Sequence, residues 1–178
     1  MERNVQIIKE PDGRNLVVIY DIIFKNRRDI SWDDVEKYLK RYLGEVYEII
    51  ESSDRIYIGK DFVDEFSGSN YTAKLKGTAA KAKANAAQGL PEMIEIAVNK
   101  RYKENLARKH GVNAKYGWYR YDTRFALPVA DENEDIIRYN VFQAELLIRH
   151  DANGKLYLYD VINIKKKRST PHEPKLDG

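Results

Sequence analysis

The chain opens with short β-branched runs. Residues 5–9 and 16–25 are apolar and are separated by Pro11-Asp12-Gly13, a triplet that suits a turn and fits no helix interior, so a hairpin is expected. The spacing then changes to that of a helix. Ser31-Trp32-Asp33-Asp34 resembles a hydroxyl cap with a carboxylate three residues on, and Val35, Leu39 and Tyr42 recur at helical intervals until Gly44. Residues 46–50 and 55–58 read as a second strand pair joined by Ser52-Ser53-Asp54, and residues 61–71, with Gly68 and Ser69, read as a loop. Two central helices are expected next. Residues 73–88 are rich in Ala and Lys, with Lys74, Lys76, Lys81 and Lys83 expected in water. Residues 91–111 begin at a first-turn proline and carry Ile94, Ala97, Val98 and Tyr102 on one stripe. The last third reverts to strands at residues 116–129, 136–150 and 156–164, joined by short polar turns, which predicts an antiparallel meander. The class expected is α+β: an N-terminal hairpin and helix, two central helices, and a C-terminal antiparallel β-meander.

Composition narrows the function. The 178 residues are 43% hydrophobic and 33% charged, and no apolar run approaches the roughly 18 to 20 residues of a membrane span. The N-terminal residues lack a secretory pattern and cysteine is absent, so the expected compartment is cytoplasmic, without disulfides or thiolate chemistry. Charge is uneven. Residues 1–70 hold 11 Lys/Arg against 15 Asp/Glu, and residues 71–178 hold 20 against 13. This suggests an acidic N-terminal part over 1–70, a basic part over 71–168 and a loose tail over 169–178. Basic residues interleaved with many of the 13 tyrosines suit a nucleic-acid surface, in which cations neutralise phosphates and rings stack on bases. Lys81, Lys83, Arg108, Lys109, Lys115, Trp118 and Arg120 are the candidate RNA contacts. A helix C-terminus also explains Arg108-Lys109-His110, because cations there complement the helix dipole.

No Gly-rich phosphate loop, dinucleotide fingerprint, zinc-protease motif or serine elbow is present, and His110, His150 and His172 are too scattered to spell a metal site. No cofactor or metal is expected. The remaining chemistry uses the 2′-hydroxyl of RNA as nucleophile, with a base, an acid and cations around the phosphate. Along residues 118–124, Trp118, Arg120, Asp122 and Arg124 alternate onto one face, opposite Tyr119, Tyr121, Thr123, Phe125 and Leu127. If the next hairpin pairs His150 with Lys155, Glu145 lies opposite Asp160 with Arg149 on their face. The catalytic candidates are therefore Arg124, Glu145, Arg149, His150 and Asp160, with His150 favoured by its ordinary pKa of about 6.5. A structural ion-pair cluster is the plainer alternative.

Three segments carry a family resemblance: 74–89, from Lys74-Leu75-Lys76-Gly77 through Ala86-Ala87-Gln88-Gly89; 115–129, beginning Lys115-Tyr116-Gly117-Trp118; and 156–165, Leu156-Tyr157-Leu158-Tyr159-Asp160 onward. They resemble the third type of large polyvalent-protein-associated domain, found in phages and conjugative elements, over most of residues 10–170. That resemblance implies a relation to the barnase, EndoU, colicin and RelE-like ribonuclease fold. It implies an RNA-binding protein of a mobile element, acting in a bacterial host on structured RNA (tRNA or guide RNA) in counter-defence, with metal-independent cleavage as its enzymatic form. The alternative is a non-catalytic anti-CRISPR inhibitor whose partner is Cas9 or its guide RNA.

Overall fold

A computed structural model describes residues 4–25, 29–104 and 111–170. In chain order the elements are β1 (Val5–Lys9), β2 (Asn15–Ile19), α1 (Trp32–Leu39), β3 (Val46–Glu48), β4 (Arg55–Tyr57), α2 (Lys60–Gly68), α3 (Asn70–Lys74), α4 (Gly77–Ala86), α5 (Leu90–Glu95), β5 (Val98–Lys103), β6 (Trp118–Ala130), β7 (Ile136–His150) and β8 (Leu156–Thr170). The class is α+β. All eight strands form one mixed sheet in the order β1-β2-β6-β7-β8-β4-β3, with β5 also on β6. The three long strands make the expected antiparallel meander. The two short hairpins dock beside it in parallel, β2 on β6 and β4 on β8.

Both turns of the meander are closed by an aspartate. Asp131 accepts hydrogen bonds from the Asn133 and Asp135 amides, and Asp151 accepts from those of Asn153 and Lys155. These side-chain acceptors add to the backbone bonds that close each turn, from the Asp131 amide to the Asp135 carbonyl and from the Asp151 amide to the Lys155 carbonyl. The strands themselves are uneven in length. Residues 139–150 of β7 pair with residues 156–170 of β8, and three register shifts take up the surplus. Each such bulge adds twist and bends its strand, so the sheet curls.

The main hydrophobic cluster fills the helix-bearing side. It draws on Val17, Leu39 and Phe62 as well as Leu90, Phe125 and Leu158, so the acidic and basic parts of the chain share one core. A smaller cluster of Ile8, Leu16, Val18, Ala126, Tyr139 and Val141 lies apart from it.

Two expectations are corrected here. Residues 61–71 are helical rather than a loop: Phe62, Val63 and Phe66 bury one side of α2, and Ser69 starts α3 by accepting the Thr72 amide at 3.1 Å. The helix expected over 91–111 ends with α5, and Val98–Lys103 is strand β5, paired with β6. The helical spacing of Ile94, Ala97 and Val98 is genuine, but Asn99 takes a left-handed φ of 60° and strand pairing decides the segment. Arg108, Lys109, His110 and the tail from residue 171, His172 included, lie outside the described residues. Among the described residues no helix is long and apolar enough to cross a membrane.

Candidate nucleic-acid interface

Cross-strand partners share a face of the sheet, so the register fixes which side chains stand together. On one face Lys103 stands beside Trp118, Arg149 and Tyr157; Arg101 beside Arg120; Asp122 beside Glu145; and Arg124 beside Gln143 and Lys165. The alternate residues of β6 face the helices. There Tyr121 donates to Asp54 at 2.6 Å, Thr123 donates to the Met93 carbonyl at 2.7 Å, and Phe125 stacks on Phe142. The stripe Trp118, Arg120, Asp122 and Arg124 thus occupies the face away from the helical core. Burial and the Asp54 carboxylate together push the Tyr121 hydroxyl well above its ordinary value, so it stays a donor.

At the middle of this open face two carboxylates oppose each other directly, Asp122 on β6 and Glu145 on β7. Alone they would repel. Arg101 of β5 bridges them, reaching Asp122 at 3.0 Å and Glu145 at 2.6 Å, and Arg120 stands 3.8 Å from Glu145. Partial burial works against the Arg101 charge, but the two carboxylates outweigh it and hold its pKa above the ordinary arginine value. Two asparagines complete the cluster. Asn99 donates to Asp122 at 2.9 Å, and Asn163 donates to the other oxygen of Glu145. Both have left-handed backbones, φ 60° and 52°, and both lie at register shifts, in β5 and β8 respectively. Asparagine tolerates that conformation better than most residues, and a bulge re-aims the side chain it carries. Arg101 and Arg120 remain 38% and 40% exposed, so their guanidinium groups are open to an incoming anion.

The other catalytic candidates are not gathered at this cluster. Arg124 is almost buried and bonds Glu10 at 2.6 Å, and Arg168 contacts the same carboxylate. Arg149 is tied to Asp61 at 2.8 Å and to the Asn113 carbonyl, with its guanidinium over the Tyr157 ring. His150 packs between the rings of Tyr116 and Tyr119, and its buried Nδ1 has no hydrogen-bond partner among the described residues. Asp160 is 2% exposed and pairs with Lys83 at 2.7 Å. The expected opposition of Glu145 and Asp160 is therefore corrected: Glu145 faces Ile162, and Asp160 faces Leu147.

Of the expected RNA contacts, Lys83 is withdrawn from water. It is fully buried, donating to Asp160 and to the Thr72 hydroxyl, because the alanines around it let α4 sink into the core. Lys115 is exposed beside Tyr116, Lys81 is half-buried on α4, and Trp118 and Arg120 are half-exposed on the open face. The sequence reasoning missed Arg101, Asn99, Asn163 and Glu10. Only Asn163 left a signal, as a lone polar residue inside the apolar run Val161-Ile162-Asn163-Ile164.

No family model, curated protein or solved structure matches this chain.

Proposed function

We propose that the protein is an RNA-binding protein of a phage or mobile element and that the open sheet face is its RNA surface. The observation that carries this reading is the half-exposed pair Arg101 and Arg120, the first held by hydrogen bonds to Asp122 and Glu145 and the second 3.8 Å from Glu145, flanked on the same face by Trp118 and Lys103. A guanidinium whose position is already set loses little freedom on meeting a phosphate, and a ring beside it offers a base somewhere to stack. Lys165 on β8 extends the positive strip across the sheet.

In the enzymatic form of this reading, Glu145 is the base. It takes the proton of a 2′-hydroxyl, the freed oxygen attacks the adjacent phosphorus, and the bond to the 5′-oxygen breaks as that oxygen gains a proton from water. The product is a 2′,3′-cyclic phosphate. Arg101 and Arg120 would face the negative charge that builds on the non-bridging oxygens. A second reading, a non-catalytic inhibitor binding a CRISPR effector or its guide RNA, is favoured by one observation: Arg124, Arg149 and Asp160 are committed to ion pairs away from Glu145.

The test is binding of labelled tRNA and guide RNA over a range of salt, with product end-group analysis in EDTA. Binding that weakens steeply with salt, and by on the order of tenfold or more in Arg101→Glu and Arg120→Glu, is expected. A 2′,3′-cyclic end that disappears in Glu145→Gln supports the enzymatic form, and binding without cleavage supports the inhibitor. Affinity unchanged in both folded arginine variants would remove the RNA reading altogether.

A further inference from the structure

The end of the sheet remote in strand order from β5 and β6 carries a second surface of opposite character. There, among the described residues, β3 is the last strand and pairs only with β4. The Ile49 amide donates to Asp54, on the β4 side, while the Ile50 amide donates outward to the Glu95 carbonyl of α5. Strand alternation therefore turns the peptide groups of Val46 and Glu48 outward as well, onto an edge with no neighbouring strand. Between this edge and α5 lies a groove of about 290 Å3, lined by Val46, Glu48, Ile50, Pro91, Glu92 and Glu95 among others. Val46 is 42% exposed and Ile50 is 63% exposed, both high for apolar side chains in a chain with a well-filled core. Among the described residues, the charged side chains lining the groove are carboxylates, Glu48 and Glu95 among them. Arg55, the partner of Glu48, is on β4, away from the free edge.

We propose that this groove docks an extended basic segment of a partner protein, a strand of alternating apolar and Lys/Arg residues that adds to the free edge of β3. Three features specify that occupant. The outward peptide groups of Val46 and Glu48 select an extended backbone. Val46, Ile50 and Pro91 offer apolar contact to alternate side chains. Glu48 and Glu95 select cations and disfavour a second copy of this chain, since pairing two β3 edges would bring like carboxylates together. The proposal is independent of the RNA surface.

The experiment uses the full chain and a fluorescein-labelled hexapeptide of alternating Lys and Val, with Glu/Val and Lys/Ser hexapeptides as controls. The Lys/Val peptide is expected to bind most tightly and to slow hydrogen exchange at the Val46 and Glu48 amides. Glu48→Lys and Glu95→Lys should each weaken it by on the order of tenfold. Exchange is measured on the unaltered protein, so the result does not depend on either variant folding. Equal binding of the Glu/Val peptide, or Lys/Val binding that leaves the Val46 and Glu48 amides unprotected, would overturn the proposal. Equal binding of Lys/Ser would show charge attraction without a groove and would overturn it too. A dimer in sedimentation that Glu48→Lys abolishes would assign the edge to a second copy instead.

Discussion

Replacing Lys83 by methionine separates the structural role of this lysine from the RNA role its sequence context suggests. Its ammonium is fully buried, 2.7 Å from Asp160 and 2.6 Å from the Thr72 hydroxyl, with the Phe66 and Tyr71 rings about it. Burial lowers the Lys83 pKa and raises that of Asp160, so each ion is costly there and each relieves the other. At the observed separation of 2.7 Å and an effective dielectric of about 20, their attraction is about 6 kcal/mol, against a desolvation cost of several kcal/mol per ion. The pair is near balance, but half of it is not. Lys83→Met leaves the Asp160 carboxylate with the Val161 amide, and the expected loss is about 3–5 kcal/mol. For a chain of this size that is a fall in Tm of roughly 6–20 °C. Lys83→Met combined with Asp160→Leu should recover most of the loss, giving a coupling of several kcal/mol in a double-mutant cycle by urea unfolding. RNA affinity of the folded Lys83→Met protein should equal that of the parent. A single-variant cost under about 1 kcal/mol with additive effects would refute the buried-pair argument. Weakened RNA binding at unchanged fold would refute the claim that Lys83 lies off the RNA surface.

Asp54 gives a pH signature. Burial alone would raise its pKa, but the Tyr121 hydroxyl and the Lys100 ammonium beside it outweigh that and hold it below the ordinary value of 3.8. Its contribution is therefore complete above pH 3.8 and is lost as pH falls through the lower folded value, so acid unfolding of Asp54→Asn should show a shallower loss of stability below pH 3.8 than the parent. An identical acid limb in the two proteins would contradict this. Gly117 tests the seat of β5. With φ at 96°, an added Cβ would lie 2.7 Å from the Lys103 carbonyl oxygen and from the Tyr102 ring. Gly117→Ala should cost about 1–3 kcal/mol in denaturant unfolding and speed amide exchange along β5, and neutrality would show that the loop can shift freely.

The meander was legible because alternation on 118–124 and the polar turns at 131–135 and 151–155 left little choice of strand ends. The register was not. The pairing expected from the turn put His150 opposite Lys155, but Asp151 closes the turn on the Lys155 carbonyl and His150 pairs with Leu156. A bulge near Tyr159 adds a second residue of slip. Glu145 therefore meets Ile162 rather than Asp160, two positions along. One slip would have turned every side chain to the opposite face, and two restore it. Strand β5 was hidden for a different reason: the helix-compatible period of α5 runs on through Ala97 and Val98, and pairing with β6 makes Val98–Lys103 a strand. Arg101 and Asn99 were lost with it. Glu145 and Arg120 could be chosen by chemistry from the strands that carry them, whereas the residues that hold them in place come from segments whose local pattern points elsewhere.

The irregularities of the sheet set the character of its open face. A regular ladder through β5 and β8 would keep extended backbone at Asn99 and Asn163, and nothing in a period-two pattern would send both side chains to the same pair of carboxylates. At the two register shifts the backbone turns left-handed, and the asparagines flank Asp122 and Glu145 from opposite sides. Each carboxylate is left with one oxygen on an asparagine and the other on Arg101. These bonds hold each carboxylate in place and share its charge with Arg101, while every oxygen keeps a second lone pair. The part of the cluster that reaches solvent is then mainly guanidinium, on Arg101 and Arg120. A face with two opposed acids at its centre can in this way present cations to a polyanion.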